Sequence, residues 1–317
     1  MKPYKIAKVC TAALFSAAAT VIAAPASAEY PEKPVVVIVP FGAGGGTDGT
    51  ARIFAAELAN TLGTDIVVKN TTGAQGTIGA NEVATAASDG YKIGYIPVGP
   101  ATTQPHLRNL PYGIDSWSFI CGVSRSPIVL TVTKDSPFDT VEDIVKAAKD
   151  DPDGMLWAAG TGSVPNLSLI GFENATGAEI RHFPVRDAAA GTKELMGGTV
   201  QFYADSSNIV PRFDLKPIVV FADGRLPELP DVPTFSETGY EGNFAIWNGV
   251  FGPANMDEEA KTKLADACAT TVTAEAYITN MGKVGAPITY MDSEEFEDYV
   301  RDQYDAFGVI LKEIELQ

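Results

Sequence analysis

Three short turns hold the residue types best suited to chemistry. The first, FGAGGGTD at residues 41–48, follows the β-branched run at 35–39 and leads into Ala51, Phe54, Ala55 and Leu58, which recur at helical spacing. The second, GAQGTIG at residues 73–79, and the third, GTGS at residues 160–163, also separate a strand-like run from a helix-like one. The chemistry such turns offer is anion capture. The first turn of a helix carries N–H groups with no carbonyl partner, and glycine, lacking a Cβ, lets a ligand approach them. Thr47 and Asp48 are suited to cap the first helix, and hydroxyl and amide groups of the two later turns can complete a pocket.

Signals for catalysis are weak beside these. Gly42-Ala43-Gly44 resembles the start of a dinucleotide fingerprint, but Thr47 stands at its third glycine, and the second strand ends in Lys69-Asn70 where a ribose-binding acid is expected. The chain has no Gly-Lys-Ser/Thr phosphate loop and no Gly-x-Ser-x-Gly elbow. Its two histidines, His106 and His182, have no Cys or His at ligand spacing. These readings anticipate no enzyme, no cofactor and no metal.

The formal net charge is −17, and loss of a leader with three lysines and no acids takes it to about −20, which disfavours nucleic acid as a partner. Binding a small anion is still compatible with this balance, because distant surface charges are screened beyond about 8–10 Å in physiological salt. That leader is residues 1–28: lysines at 2, 5 and 8, an apolar run too short to span a bilayer, and a small-residue end at Ala26-Ser27-Ala28. It reads as a cleaved secretory signal and places the chain in the periplasm. Cys121 and Cys268 remain after cleavage. One disulfide is possible there, but Cys121 lies in an apolar strand-like run and Cys268 in an alanine-rich helix, which favours two buried thiols.

Strand-like and helix-like runs alternate along the chain, with strands expected at 65–69, 91–98, 117–123 and 128–133. The pattern then restarts with strands at 156–159, 179–185, 200–203 and 218–222. Helices are expected at 80–87, 140–149, 166–174 and 188–196, then at 257–274 and 293–314 after a proline-rich connector and an aromatic strand at 244–251. The fold class is α/β in two lobes, each a mixed sheet flanked by helices. Lobe one comprises 29–124 plus 246–317 and lobe two 125–245, boundaries good to about ten residues. Two crossings make a hinge, with a ligand cleft between the lobes.

Several stretches together carry a resemblance: YPEKPVVVIVPFGAGGGTD, IVVKN with GAQGTIGANEVATAASDGY, LPDVPTFSETGYE and WNGVFGPANM. In this order they are similar to the periplasmic solute-binding proteins of tripartite tricarboxylate transporters, the Bug/TctC family. The resemblance implies a type II periplasmic binding protein (Venus flytrap) fold. It also implies a monomer that binds a small carboxylate (a di- or tricarboxylate, aromatic acid or amino acid) and delivers it to membrane permease subunits. A periplasmic ligand sensor feeding a membrane signalling protein is the alternative.

Residue by residue, the resemblance places a ligand carboxylate at Phe41, Gly44, Gly45, Thr47 and Asp48, with Asp48 as readily holding the loop as touching the solute. It adds Gly76 and Thr77 from the second turn. From lobe two it adds Thr161, Gly162, Ser163 and Asn166, the last where the family usually has histidine. Arg186 stands where the family tends to have lysine and either clamps a carboxylate or pairs with Asp187. Asp205, with Ser206 beside it, faces the cleft and accepts a hydrogen bond from the solute. Arg125 is a weaker cationic candidate. Trp247 either walls the cleft or packs the hinge.

Overall fold

The computed structural model describes residues 1, 29–151, 154–185 and 188–315. The expected leader and the Arg186–Asp187 pair lie outside the described residues.

The N-terminal segment forms β1 (Val35–Val39), α1 (Gly46–Leu62), β2 (Ile66–Asn70), α2 (Thr77–Ala84), β3 (Lys92–Pro97) and a short α3 (Gln104–Leu107). After the long β4 (Trp117–Val132) come α4 (Val141–Asp150), β5 (Leu156–Ala159), α5 (Val164–Thr176), β6 (Arg181–Pro184), α6 (Ala188–Met196), β7 (Phe202–Ser206), α7 (Ile209–Phe213) and β8 (Lys216–Phe221). The chain ends with β9 (Ala245–Pro253), α8 (Glu258–Thr273), α9 (Glu275–Lys283) and α10 (Ser293–Glu315).

β1 lies between β2 and β3, parallel to both, and β9 runs antiparallel to β3. Both faces of β1 are covered, so its sequence is apolar at every position rather than alternating. Val35, Val37 and Val39 pack with Phe54 and Leu58 of α1 and Leu264 of α8. Ile38 points the other way, into the cluster holding Val83 of α2 and Phe296 of α10. In the second lobe β5 is parallel to β6 and β7, while β7 and β8 are antiparallel to the end of β4.

β4 joins the two sheets. From Trp117 to Pro127 it pairs with β9, and from Ile128 to Val132 with β7 and β8. The two separate strands expected from the sequence are therefore one strand of 16 residues. Ser124–Pro127 reads as a break because it is polar and ends in proline. Pro127 sits where β9 ends as a partner and β7 and β8 take over, a position that tolerates the missing N–H. Ile128 N–H then donates to the Phe244 carbonyl, 2.8 Å away, where the chain returns.

The expectation of two buried thiols is overturned. Cys121 of β4 and Cys268 of α8 are fully buried but joined in a disulfide, their Cα atoms 6.6 Å apart and 147 positions apart in sequence. Packing α8 onto β4 brings together two residues that no local pattern relates. Helix starts also shift: α2 begins at Thr77 and α5 at Val164, both earlier than expected, and α9 was not anticipated.

Candidate functional site

The first glycine-rich turn is built around Asp48. The helix begins at Gly46, so Asp48 falls inside its first turn rather than before it, and the capping residue is Gly45, with no side-chain cap. The buried Asp48 carboxylate reaches back to accept from Gly44 N–H at 2.8 Å, from Arg52 Nε at 2.9 Å and from Asn70 Nδ2 at 2.8 Å. Asn70 Nδ2 also donates to the Phe41 carbonyl, 2.8 Å away, stitching β2 to the turn. The Arg52 hydrogen bond, with those of Gly44 and Asn70, holds the Asp48 carboxyl down at about 2 despite its burial. Asp48 is therefore saturated by the protein and shapes the loop.

This arrangement also decides which backbone donors are open. Gly44 N–H is spent on Asp48 and Gly45 N–H on the Gly42 carbonyl, while the first helical bond runs from Gly49 to Gly45. The N–H groups of Gly46, Thr47 and Asp48 precede that bond and have no helical carbonyl to meet. Gly44 and Gly45 thus bring the turn to its position, and the donors lie just beyond them.

The second turn supports the first. Residues 73–76 all have positive φ, from 46° to 127°. A Cβ at Gly76 would fall 2.7 Å from Pro100 Cγ and 3.1 Å from Phe41 Cζ, so the missing side chain is what lets Phe41 and Pro100 close on the turn. Thr77 is buried and donates its hydroxyl to the Ala74 carbonyl at 2.9 Å. Gly76→Ala is expected to cost about 1–3 kcal/mol through backbone strain and to displace Phe41. Chemical denaturation together with Phe41 ring resonances by NMR will check both parts; an unchanged Phe41 environment would refute the packing role.

In the second lobe, β5 is followed by the turn at residues 160–163, and Ser163 caps α5 by accepting Asn166 N–H at 3.3 Å. Asn166, buried, accepts Gly162 N–H with its Oδ1 at 2.8 Å. Ser163 thus meets a backbone donor of the helix while Asn166 meets one of the turn, which locks the junction from both sides. Asn166 is directed into the turn, leaving Thr161 and Ser163 on the cavity side.

A cavity of about 670 Å³ opens between these turns. Phe41 and Thr47 line one side, Thr161, Gly162 and Ser163 the other. A second chamber of about 500 Å³ shares Thr47, Pro97 and Ile246 with the first and is lined by Gly44, Gly45, Ser124, Ser126, Ser206 and Asn248 among others. Asp48, Gly76, Thr77, Asn166 and Asp205 line neither chamber. Asp205 instead accepts from the Tyr203 hydroxyl and Ser206 N–H, each at 2.7 Å, and burial raises its carboxyl above the ordinary aspartate range.

The remaining candidates are structural. Arg125 donates to Asn243 Oδ1 at 2.9 Å, lies 3.4 Å from Asp223 and stacks on Tyr299. Trp247 is fully buried against Phe296 and Tyr299. Because side chains alternate along β9, its neighbours Ile246 and Asn248 face the cleft instead. His106 bonds the Tyr304 carbonyl of α10, and His182 stacks on Trp157. Among the described residues no group of three or more His, Cys, Asp or Glu is placed to hold a metal.

Sequence reading missed one wall of the first chamber entirely. The wide, π-helical turn Gly99–Thr103 and α3, with the residues flanking them, bring in Val98, Pro100, Thr103, Gln104, Leu107 and Arg108. Two prolines in a nine-residue run suggest a loop, and nothing in their spacing marks a cavity face.

Across residues 50–316 the sequence matches the model of the tripartite tricarboxylate transporter family receptor, TctC. The chain belongs to that family. A UPF0065 protein of Bordetella pertussis is 28% identical over all of this chain and 99% of its own length. A TctC solute-binding protein from Polaromonas, solved without ligand, superposes with a TM-score of 0.83 at 27% identity, covering 90% of this chain and 99% of the other. MatC from Rhodopseudomonas palustris, solved with bound malate, gives 0.71 at 27% identity, with coverage of 89% and 99%. The two-lobed fold is that of the type II periplasmic binding proteins, and both family and fold are those of substrate-binding proteins. Among the described residues no helix is long and apolar enough to cross a membrane.

Proposed function

We propose that this TctC-family chain is a periplasmic receptor that captures a small carboxylated metabolite between its lobes and hands it to a tripartite tricarboxylate-type permease, without chemistry on the solute. The observation that carries this reading is that two turn-to-helix junctions from different lobes line one chamber. The N-termini of α1 and α5 each favour an anion by about 0.3–1 kcal/mol, rising to about 2 kcal/mol where partly buried. The malate held by MatC supports a carboxylate as the class of solute.

In this reading Phe41, Thr47, Thr161, Gly162 and Ser163 touch the solute, while Asp48, Gly76, Thr77 and Asn166 hold the turns that present them. The lobes hinge where β4 exchanges β9 for β7 and β8, at residues 127–128, and where the chain returns at 244–245. A ligand stabilises the closed form only through contacts that both lobes make together.

A panel of di- and tricarboxylates, aromatic acids and amino acids tests the proposal by thermal unfolding. At one hundred times its Kd a true ligand is expected to add about 2.7 kcal/mol of stability, read as a shift in Tm that grows with the logarithm of concentration. If no carboxylate shifts the transition, or if the solute is recovered chemically altered, the proposal fails.

A further inference from the structure

Arg108 is the single charged side chain lining either chamber among the described residues. It is exposed at the C-terminal end of α3, and among the described residues its guanidinium has no carboxylate partner. In a chain with 40 acidic and 23 basic residues, an arginine at a cavity rim with no acid beside it is an uncommon placement.

The side chain is nevertheless held. Its Nε donates to Oε1 of Gln104 at 2.8 Å, and Gln104 is buried in the same chamber wall. That bond leaves Nη1 and Nη2, the two ends of the fork that suit a carboxylate. The supporting segment is held by contacts to both α10 and the lobe-two turn. His106 is tied to the α10 backbone, and a Cβ at Gly162 would lie 3.0 Å from Leu107 Cδ1, so α3 already abuts the lobe-two turn.

We propose that Arg108 determines specificity by receiving a second carboxylate of the solute, through a bidentate pair, while the first sits at the Thr47 and Thr161–Ser163 junctions. This rests on the reading of the chamber as a carboxylate site. The apolar side chains of Val98, Pro100, Leu107, Val164 and Pro165 share the chamber lining with Gln75, Thr103 and Gln104. The solute class is accordingly a dicarboxylate whose two acid groups are separated by an apolar spacer, aliphatic or aromatic. Neither chamber has an acidic lining residue among the described residues to receive an ammonium group, and no second cation waits for a third carboxylate.

Calorimetric titration of the intact protein with adipate, pimelate and terephthalate, each against its monomethyl ester, tests this. The wild-type protein is expected to prefer at least one diacid over its monoester by tenfold or more. In Arg108→Gln that ratio should fall toward one, and in Arg108→Lys it should be intermediate, since lysine keeps the charge but loses the fork. Arg108 is exposed, so these variants should fold normally, which circular dichroism will verify. A diacid preference that survives in Arg108→Gln overturns this inference alone. Equal binding of diacid and monoester by the wild type also overturns it. If the wild type binds neither diacids nor monoesters, the carboxylate reading of the cleft falls together with it.

Discussion

Removing the Cys121–Cys268 disulfide is expected to lower the unfolding free energy by up to about 5 kcal/mol, the value chain entropy assigns to a loop of this size. The separation of 147 positions encloses every element from α4 to β9. β4, which carries Cys121, and α8, which carries Cys268, belong to the two stretches that flank that insertion and build the first lobe together. In the unfolded chain the bond keeps these stretches near each other; without it, assembling the lobe must close the loop anew. Urea and thermal unfolding of the oxidised protein, compared with a Cys121→Ala/Cys268→Ala double variant, measure the effect. A drop in Tm of order 10 °C is expected, and unchanged midpoints would show that the bond does not constrain the unfolded ensemble.

Asp48→Ala is the point substitution expected to do most damage, at about 3–4 kcal/mol. One buried carboxylate accepts from a backbone N–H, a guanidinium and an amide, and the variant leaves the part-buried Gly44 and Asn70 donors without it. The glycine turn then loses the group that curls it, so ligand affinity should fall at least tenfold although Asp48 lines neither chamber.

The same carboxylate gives a pH signature. Its folded pKa of about 2 lies below the ordinary 3.8, so its contribution is complete above pH 4 and disappears as pH falls through 2. A depression of this size corresponds to about 2 kcal/mol. Stability measured from pH 5 to pH 2 should decline in the wild type, with that part of the decline absent in Asp48→Ala. Parallel curves for the two proteins would show that Asp48 does not titrate as described.

Several features of this chain follow from local chemistry and could be read directly. Apolar β1 with glycine turn and helix, the restart of that design at β5, and the two-lobed α/β class all depend on side-chain periodicity and on the conformational freedom of glycine, which neighbours in sequence determine. Loop-holding was one of the two roles left open for Asp48, because a short carboxylate beside unpaired N–H groups can occupy them itself or share them with a ligand. The strand break expected before Ile128 was a misreading of the same local signals: proline and serine interrupt a pattern whether or not a partner strand remains.

Tertiary structure decided what depends on distant pairing. Only packing α8 on β4 brings Cys121 to Cys268, and only the alternation of β9 within its sheet sends Trp247 to the core and Ile246 to the cleft. The wall from Gly99 to Arg108 carries no periodic pattern, so its place at the chamber appears only when α10 anchors it through His106 and the lobe-two turn meets Leu107. Local sequence specified the turns that offer donors to an anion. Long-range packing specified which turns face one another, because side-chain periodicity determines which face of an element is buried but not which element will cover it.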